Sequence, residues 1–424
     1  MVRLIVFLLC ASQVIAATRE EVLAQTLAPY NGPSERGVDV STLTNKVVCG
    51  YQGWFHCEGD GAERGWVHWV KGKGPMGPDN VKVDLWPDVS ELSAEEKFDT
   101  AFKHRDGRTA QVFSSSNKAT VQRHFEWMKQ HGIDGAMVQR FVAGMRDPRV
   151  LRSTNVVLAN CREAAHRNGR AYALMYDLSG LGANKMDEVI EDWRELRTRM
   201  KLGEDAAYLH HRGKPLVAVW GIGFNDKRAY TLEECRKLIE ALKADGCAVM
   251  LGTPTYWREQ KNDAAKDAAL HEVLALADVI SPWMVGRYNS PERAQHHAQT
   301  VAKPDLDWCK SRGLDYLPVV FPGFSWHNMY GAPLNSIPRL KGEFLWSQFQ
   351  ANKRIGANMI YVAMFDEVDE GTAIFKCTND TPATEQVPFV DCEGLPSDFY
   401  LRLTGLGAKL LRGELPVDTP VLKE

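Results

Sequence analysis

From Lys46 onward the chain repeats one pattern: a short apolar run, a polar loop, then a stretch with apolar positions three and four apart. The apolar runs are "KVVCGYQ" (46–52), "DGAMVQRF" (134–141), "AYALMYD" (171–177), "PLVAVWGI" (215–222), "CAVMLGT" (247–253), "DVISPWM" (278–284), "DYLPVVF" (315–321) and "NMIYVAMF" (358–365). Near-continuous apolar runs, rather than strict alternation, are what strands covered on both faces require. Between them, 118–132, 156–170, 187–201, 231–246 and 341–356 carry helical periodicity. In the first, Val121, Phe125 and Met128 make one stripe and Gly132 is placed to end it. In the fourth, Thr231 and Glu234 have capping-box spacing.

Strands alternating with helices eight times predict an α/β fold, a (β/α)8 TIM barrel over 46–415. One further apolar piece, "TAQVFSSSN" (109–117), is assigned to a long insertion after strand one, residues 53–117. Counting it as a barrel strand would give nine and weaken the barrel reading. A lead-in (18–45), a closing amphipathic helix in "SDFYLRLTGLGAKLLRGEL" and a short tail (416–424) complete the division.

The N-terminus changes the picture. Arg3 precedes "LIVFLLCASQVIAA", which ends on small residues at Ala16 and Ala17. That is the layout of a secretory signal peptide over residues 1–17, and the apolar run is shorter than the ~20 residues that span a bilayer. A secreted or periplasmic protein without stable membrane insertion is therefore expected. Of the nine cysteines, Cys10 would leave with the leader. The others show no C-x-x-C pair, so a metal ribbon has no support, and Cys377 with Cys392 is the best candidate disulfide. A formal net charge of −3 gives no reason to expect nucleic acid. No cofactor or metal is implied, and a monomer is expected. "GKGPMG" (72–77) matches G-x-G-x-x-G formally, but contains Pro75 and follows no strand, so it lacks the context of nucleotide binding.

In such a barrel, chemistry sits at the C-terminal ends of the strands. The residues there are Tyr51 and Trp54, Gln139 and Arg140, Asp177, Trp220, Trp257, Trp283 and Tyr288, and Trp326. "FDEVDEG" follows strand eight, with Asp366, Glu367, Asp369 and Glu370. Aromatic side chains with carboxylates around one mouth have the composition of a carbohydrate site. Glycosidic cleavage needs an acid for the leaving oxygen and a second carboxylate for the other side of the sugar. Crowded carboxylates raise one another's pKa and keep an acid protonated near neutrality. Glu367 and Glu370 are the candidate catalytic pair, and the others named above are candidate substrate contacts. An acidic turn at a helix N-terminus is the competing, purely structural reading.

These residues also carry a resemblance. "FDEVDEGTAIF" resembles the Phe-Asn-Glu-Trp-His-Glu-Gly-Thr signature at the last strand of glycoside hydrolase family 99, the endo-α-mannosidase and endo-α-mannanase family. "GYQGWF … WVHW" and "VVFPGFSW" resemble its first- and seventh-strand segments, and exported bacterial proteins of the 71/99-like group, labelled xylosidase or arabinosidase, are nearer still. The resemblance implies a retaining α-glycosidase acting on an oligo- or polysaccharide through a 1,2-anhydro sugar. Glu367 would be the base on the substrate's 2-hydroxyl, and Glu370 the acid and then the base. Asp177 falls where the family has an accessory Glu, and Tyr288 where it has a site Tyr. The signature's Asn, Trp and His are replaced by Asp366, Val368 and Asp369, which leaves mannose specificity open. A barrel that binds glycans without cleaving them, and a structural calcium site in the acidic loop, are the alternatives.

Overall fold

The computed structural model describes residues 17–423; the expected leader lies almost wholly outside them. In chain order the strands are β1 (Val47–Tyr51), β2 (Phe98–Lys103), β3 (Thr109–Val112), β4 (Gly135–Phe141), β5 (Ala171–Asp177), β6 (His210–His211), β7 (Lys214–Trp220), β8 (Ala248–Thr253), β9 (Val279–Pro282), β10 (Asp315–Tyr316), β11 (Val319–Val320) and β12 (Ile360–Val362). The main sheet runs β10-β9-β8-β7-β5-β4-β1-β12-β11, all parallel. Its two ends, β10 and β11, are halves of the single seventh apolar run. Tyr316 pairs with Ile280 on one side and Val319 with Tyr361 on the other. Between them Pro318 has no N–H to donate, but its carbonyl accepts from Tyr361 N at 3.0 Å. Strand seven thereby joins strands six and eight and closes an eightfold barrel.

The helices are α1 (Arg19–Thr26), α2 (Lys118–His131), α3 (Pro148–Asn168), α4 (Met186–Met200), α5 (Leu232–Ala244), α6 (Ala269–Leu274), α7 (Pro291–His297), α8 (Lys303–Ser311), α9 (His327–Tyr330), α10 (Glu343–Arg354) and α11 (Phe399–Arg412). Local chemistry sets their ends. Thr231 and Glu234 form the expected capping box on α5, and Gly132 takes the left-handed conformation that stops α2. The third helix begins at Pro148, earlier than its apolar periodicity predicts, because Asp147 caps it and Pro148 is preorganised for the first turn. The lead-in also holds an unforeseen helix, α1, capped by Thr18 and Glu21.

The piece at 109–117 lies where expected, outside the barrel: β3 pairs antiparallel with β2 inside the insertion. The insertion folds over the catalytic end. Asp84 N and Leu85 N donate to Val368 O, and the Asp84 carboxylate accepts from His327 N and Asn328 N, both at 2.7 Å. One buried aspartate thus joins the insertion to the start of α9, close behind the exit of strand eight. Cys377 and Cys392 correct the disulfide expectation. They are adjacent but separate thiols, with Cys392 Sγ donating to Cys377 O at 3.3 Å.

Candidate active site

A cleft of about 600 Å³ opens at the C-terminal ends of the barrel strands. Glu367, Asp369 and Glu370 line one side, and Trp54, Trp220, Trp283 and Trp326 supply aromatic walls. Gln139 and Asp177 lie on it from the ends of β4 and β5.

The turn after β12 separates its four acids by what each one touches. Asp366 is fully buried, and its two carboxylate oxygens accept from Gln52 N at 2.8 Å and Gly53 N at 2.9 Å. It ties the exit of strand eight to that of strand one. Burial raises its pKa to about 7, against the pull of those two N–H groups. Glu367 accepts from Gln52 Nε2 at 2.5 Å on one oxygen and from Thr372 Oγ1 at 2.6 Å on the other. Burial, then the charges of Glu370 and Asp369, push its pKa well up, opposed by those two donors. Burial and Asp369 raise Glu370 to about 8. Asp369 Oδ2 lies 2.8 Å from His68 Nδ1 and 3.3 Å from Lys82 Nζ, both contributed by the insertion. Trp54 stacks flat on the His68 ring, centroids 3.7 Å apart and planes at 6°.

Backbone geometry holds this arrangement. Gly371 has φ of +68°, and a Cβ there would stand 2.9 Å from Ser325 N. Only glycine lets the chain reverse directly after Glu370. His68 holds a φ of +64°, which costs a non-glycine residue about 1 kcal/mol or more. Its bond to Asp369 and its stacking on Trp54 offset that.

Four predicted contacts do not reach the cleft; for the two on strands, Arg140 and Tyr51, the reason is the strand's period of two. On β4, Gln139 faces the cleft, so its neighbour Arg140 faces the helices. There Arg140 Nε and Nη2 hold Asp192 at 2.6 and 2.7 Å, with both side chains about 1 % exposed. Tyr51 likewise points outward, its hydroxyl 2.9 Å from His124 Nδ1. Trp257 is buried edge-on against Trp308 of α8. Tyr288 donates to Gln348 Oε1 at 3.1 Å from between Phe321 and Phe344. Val368, at the position of the signature's Trp, is fully buried and does not border the cleft.

Conversely, sequence reasoning missed His68 and Lys82 as site residues, along with Phe141 and Thr372. His68 lay inside the quoted "WVHW"; nothing local marks Lys82. Among the described residues, no three His, Cys, Asp or Glu side chains are grouped to hold a metal ion.

The aromatic walls and the paired donors and acceptors suit hydroxyl-rich rings. Several buried polar atoms of cleft residues, Gln52 Oε1, Gln139 Oε1 and the Trp54 and Trp220 indole N–H groups, have no partner among the described residues. Two close carboxyls drawn toward protonation can exchange one proton with a bound molecule.

The sequence matches no protein-family model, and no curated protein matches it. Solved structures do. A GH99 endo-α-mannosidase from Bacteroides thetaiotaomicron, in complex with bis-tris-propane, superposes with a TM-score of 0.62 at 17 % identity, covering 88 % of this chain and 99 % of that one. A second structure described as that species' GH99 endo-α-mannosidase also gives a TM-score of 0.62 at 17 % identity, over 89 % and 100 %. A glycoside hydrolase-like protein gives 0.54 at 12 % identity, over 92 % and 98 %. At such identities the likeness is one of fold: this chain is built on the barrel of the GH99 endo-α-mannosidase.

Proposed function

We propose that this protein is an exported glycoside hydrolase that cleaves α-linked glycans with retention, with Glu367 and Glu370 as its catalytic pair. The observation that carries the reading is the pair's placement. Both carboxyls stand at the mouth of the barrel, in an aromatic-walled cleft, and burial together with neighbouring carboxylates draws both toward the protonated form.

Burial and the charges of Glu370 and Asp369 raise Glu367, and its two hydrogen-bond donors oppose that rise. Gln52 and Thr372 donate to the two oxygens of Glu367 and favour its carboxylate form. Each oxygen keeps a free lone pair. As carboxylate, Glu367 takes the proton of the sugar's 2-hydroxyl while that oxygen attacks the anomeric carbon. Glu370, protonated near neutrality, gives its proton to the leaving oxygen as the glycosidic bond breaks. The product is a 1,2-anhydro sugar. Water then attacks the anomeric carbon and passes a proton to Glu370, while Glu367 returns its proton to the 2-oxygen. Two inversions at one carbon give net retention. The resemblance at 365–375 and the shared barrel support this sequence of steps.

The test is substitution. Glu367→Gln and Glu370→Gln should each lower kcat on a cleaved α-glycan by a factor of about 10³ or more, with the melting temperature and glycan binding kept. General acid–base catalysis contributes ~10²–10⁴. Near-wild-type turnover in either variant refutes the assignment.

A further inference from the structure

A second pocket, of about 630 Å³, borders the catalytic cleft, and His68 and Lys82 line both. Its other walls come from the insertion, including Arg64, Trp66 and the glycine-rich Gly72-Lys73-Gly74 turn. This is the stretch that resembles a phosphate loop without the context of one.

Arg64 stands out among the pocket's groups. It is half-buried, yet its only hydrogen bond runs from Nη1 to Ser153 Oγ at 3.2 Å, and no carboxylate pairs with it among the described residues. Asp60 and Asp147 act on it at longer range only. Both are already engaged: Asp60 by His56, Ser114 and two backbone N–H groups, and Asp147 by Arg149. A guanidinium offers five donors, so most of this one's capacity is unused in a partly desolvated place. Lys73 is exposed on the same wall and forms no ion pair among the described residues. Lys82 adds a third cation at the boundary with the cleft, shared with Asp369. Glu58 and Glu63, the pocket's two acids, are exposed and form no ion pair with these cations. The Trp66 indole N–H is buried and has no partner among the described residues.

We propose that this pocket is a subsite for an anionic group, a carboxylate or sulfate ester, carried by the glycan whose neutral part lies in the catalytic cleft. The inference rests on the glycan-cleaving reading above and narrows it to acidic glycans. Arg64 binds two oxygens of the anion with its free Nε and Nη2 edge, the geometry at which a guanidinium is strongest. Lys73 and Lys82 add charge, and Trp66 donates to the ring that bears the group.

The test is affinity electrophoresis of the full chain in gels containing polygalacturonate (α-linked, carboxylate), fucoidan (α-linked, sulfate ester) or neutral α-mannan, followed by titration calorimetry on fragments of the retarding polymer. Glu370→Gln serves as background, so that binding is read without turnover. An acidic polymer should retard the protein more than mannan does, and which one retards it separates carboxylate from sulfate. Arg64→Met should weaken binding at least tenfold, Arg64→Lys should recover part of it, and Lys73→Gln should weaken it two- to fivefold, with unchanged melting temperatures. Equal retardation by neutral and acidic polymers overturns the subsite. So does retardation that Arg64→Met leaves intact, which marks a non-specific charge effect. Arg64-dependent binding by a wild type that cleaves nothing keeps the subsite and sinks the hydrolase reading. Cleavage of neutral glycans with no acidic preference does the reverse.

Discussion

Removing one hydrogen bond from Glu367 gives a sharp test of how the site is tuned. In Thr372→Val the 2.6 Å bond to Glu367 Oε2 disappears, while the 2.5 Å bond from Gln52 to the other oxygen stays. A hydrogen bond to a charged group is worth ~1.5–3 kcal/mol. One pH unit corresponds to ~1.4 kcal/mol, so the lost donor should move the Glu367 ionisation up by ~1–2 pH units. The direction follows from the bond: Thr372 stabilises the carboxylate, and without it the proton is held more tightly. As the base, Glu367 must be ionised, so the acidic limb of kcat/KM against pH should move up by that amount. At a fixed pH below the limb, activity should fall ~10–100-fold. The two carboxyls titrate as one buried pair, so the alkaline limb should move in the same direction. The assay is initial-rate hydrolysis of the best α-glycan between pH 4 and 9, with the melting temperature followed alongside. A Thr372→Val profile that overlays the wild type refutes the role given to this bond.

Other outcomes follow from the same structure. Burial and Asp369 place Glu370 at about 8, and the acid must carry its proton, so kcat/KM should fall as pH rises through about 8; activity that stays flat to pH 10 contradicts Glu370 as the acid. Arg140→Met should leave the Asp192 charge buried without its guanidinium, with the Tyr176 hydroxyl still donating to it, at a cost of ~3–5 kcal/mol. For a chain of this length that lowers the melting temperature by about 5 °C by calorimetry; an unchanged value contradicts the buried-pair description.

The barrel was legible because parallel strands covered on both faces must be apolar along their whole length, and eight such runs stand out from 46 to 365. Strand seven shows a limit of that reading. "DYLPVVF" reads as one run, and only the paired neighbours reveal that Pro318 divides it into the two pieces that close the sheet. The catalytic end was legible as a place, because the fold fixes which end of each strand faces the mouth. Which residue at that end faces inward was less so. A shift of one position exchanges Gln139 for Arg140, and apolar context does not distinguish them. Trp257 and Tyr288 went the same way, since a large ring after a strand fits core and cleft equally well. His68 and Lys82 could not be found locally. They meet Asp369 across some three hundred residues of chain, through an insertion without regular periodicity. The disulfide expected between Cys377 and Cys392 does not form: the two lie side by side as separate thiols, which flanking one loop could not distinguish from a bridge.

The central claim is hydrolysis of an α-linked glycan with net retention. Proton NMR of the anomeric region, recorded in the first minutes after wild-type protein meets a panel of α-linked poly- and oligosaccharides, tests it most directly. The mechanism predicts that a cleaved substrate first releases an α-configured reducing end, which then mutarotates toward equilibrium. A β-configured first product contradicts the roles given to Glu367 and Glu370, and a panel bound but never cleaved contradicts the enzyme itself.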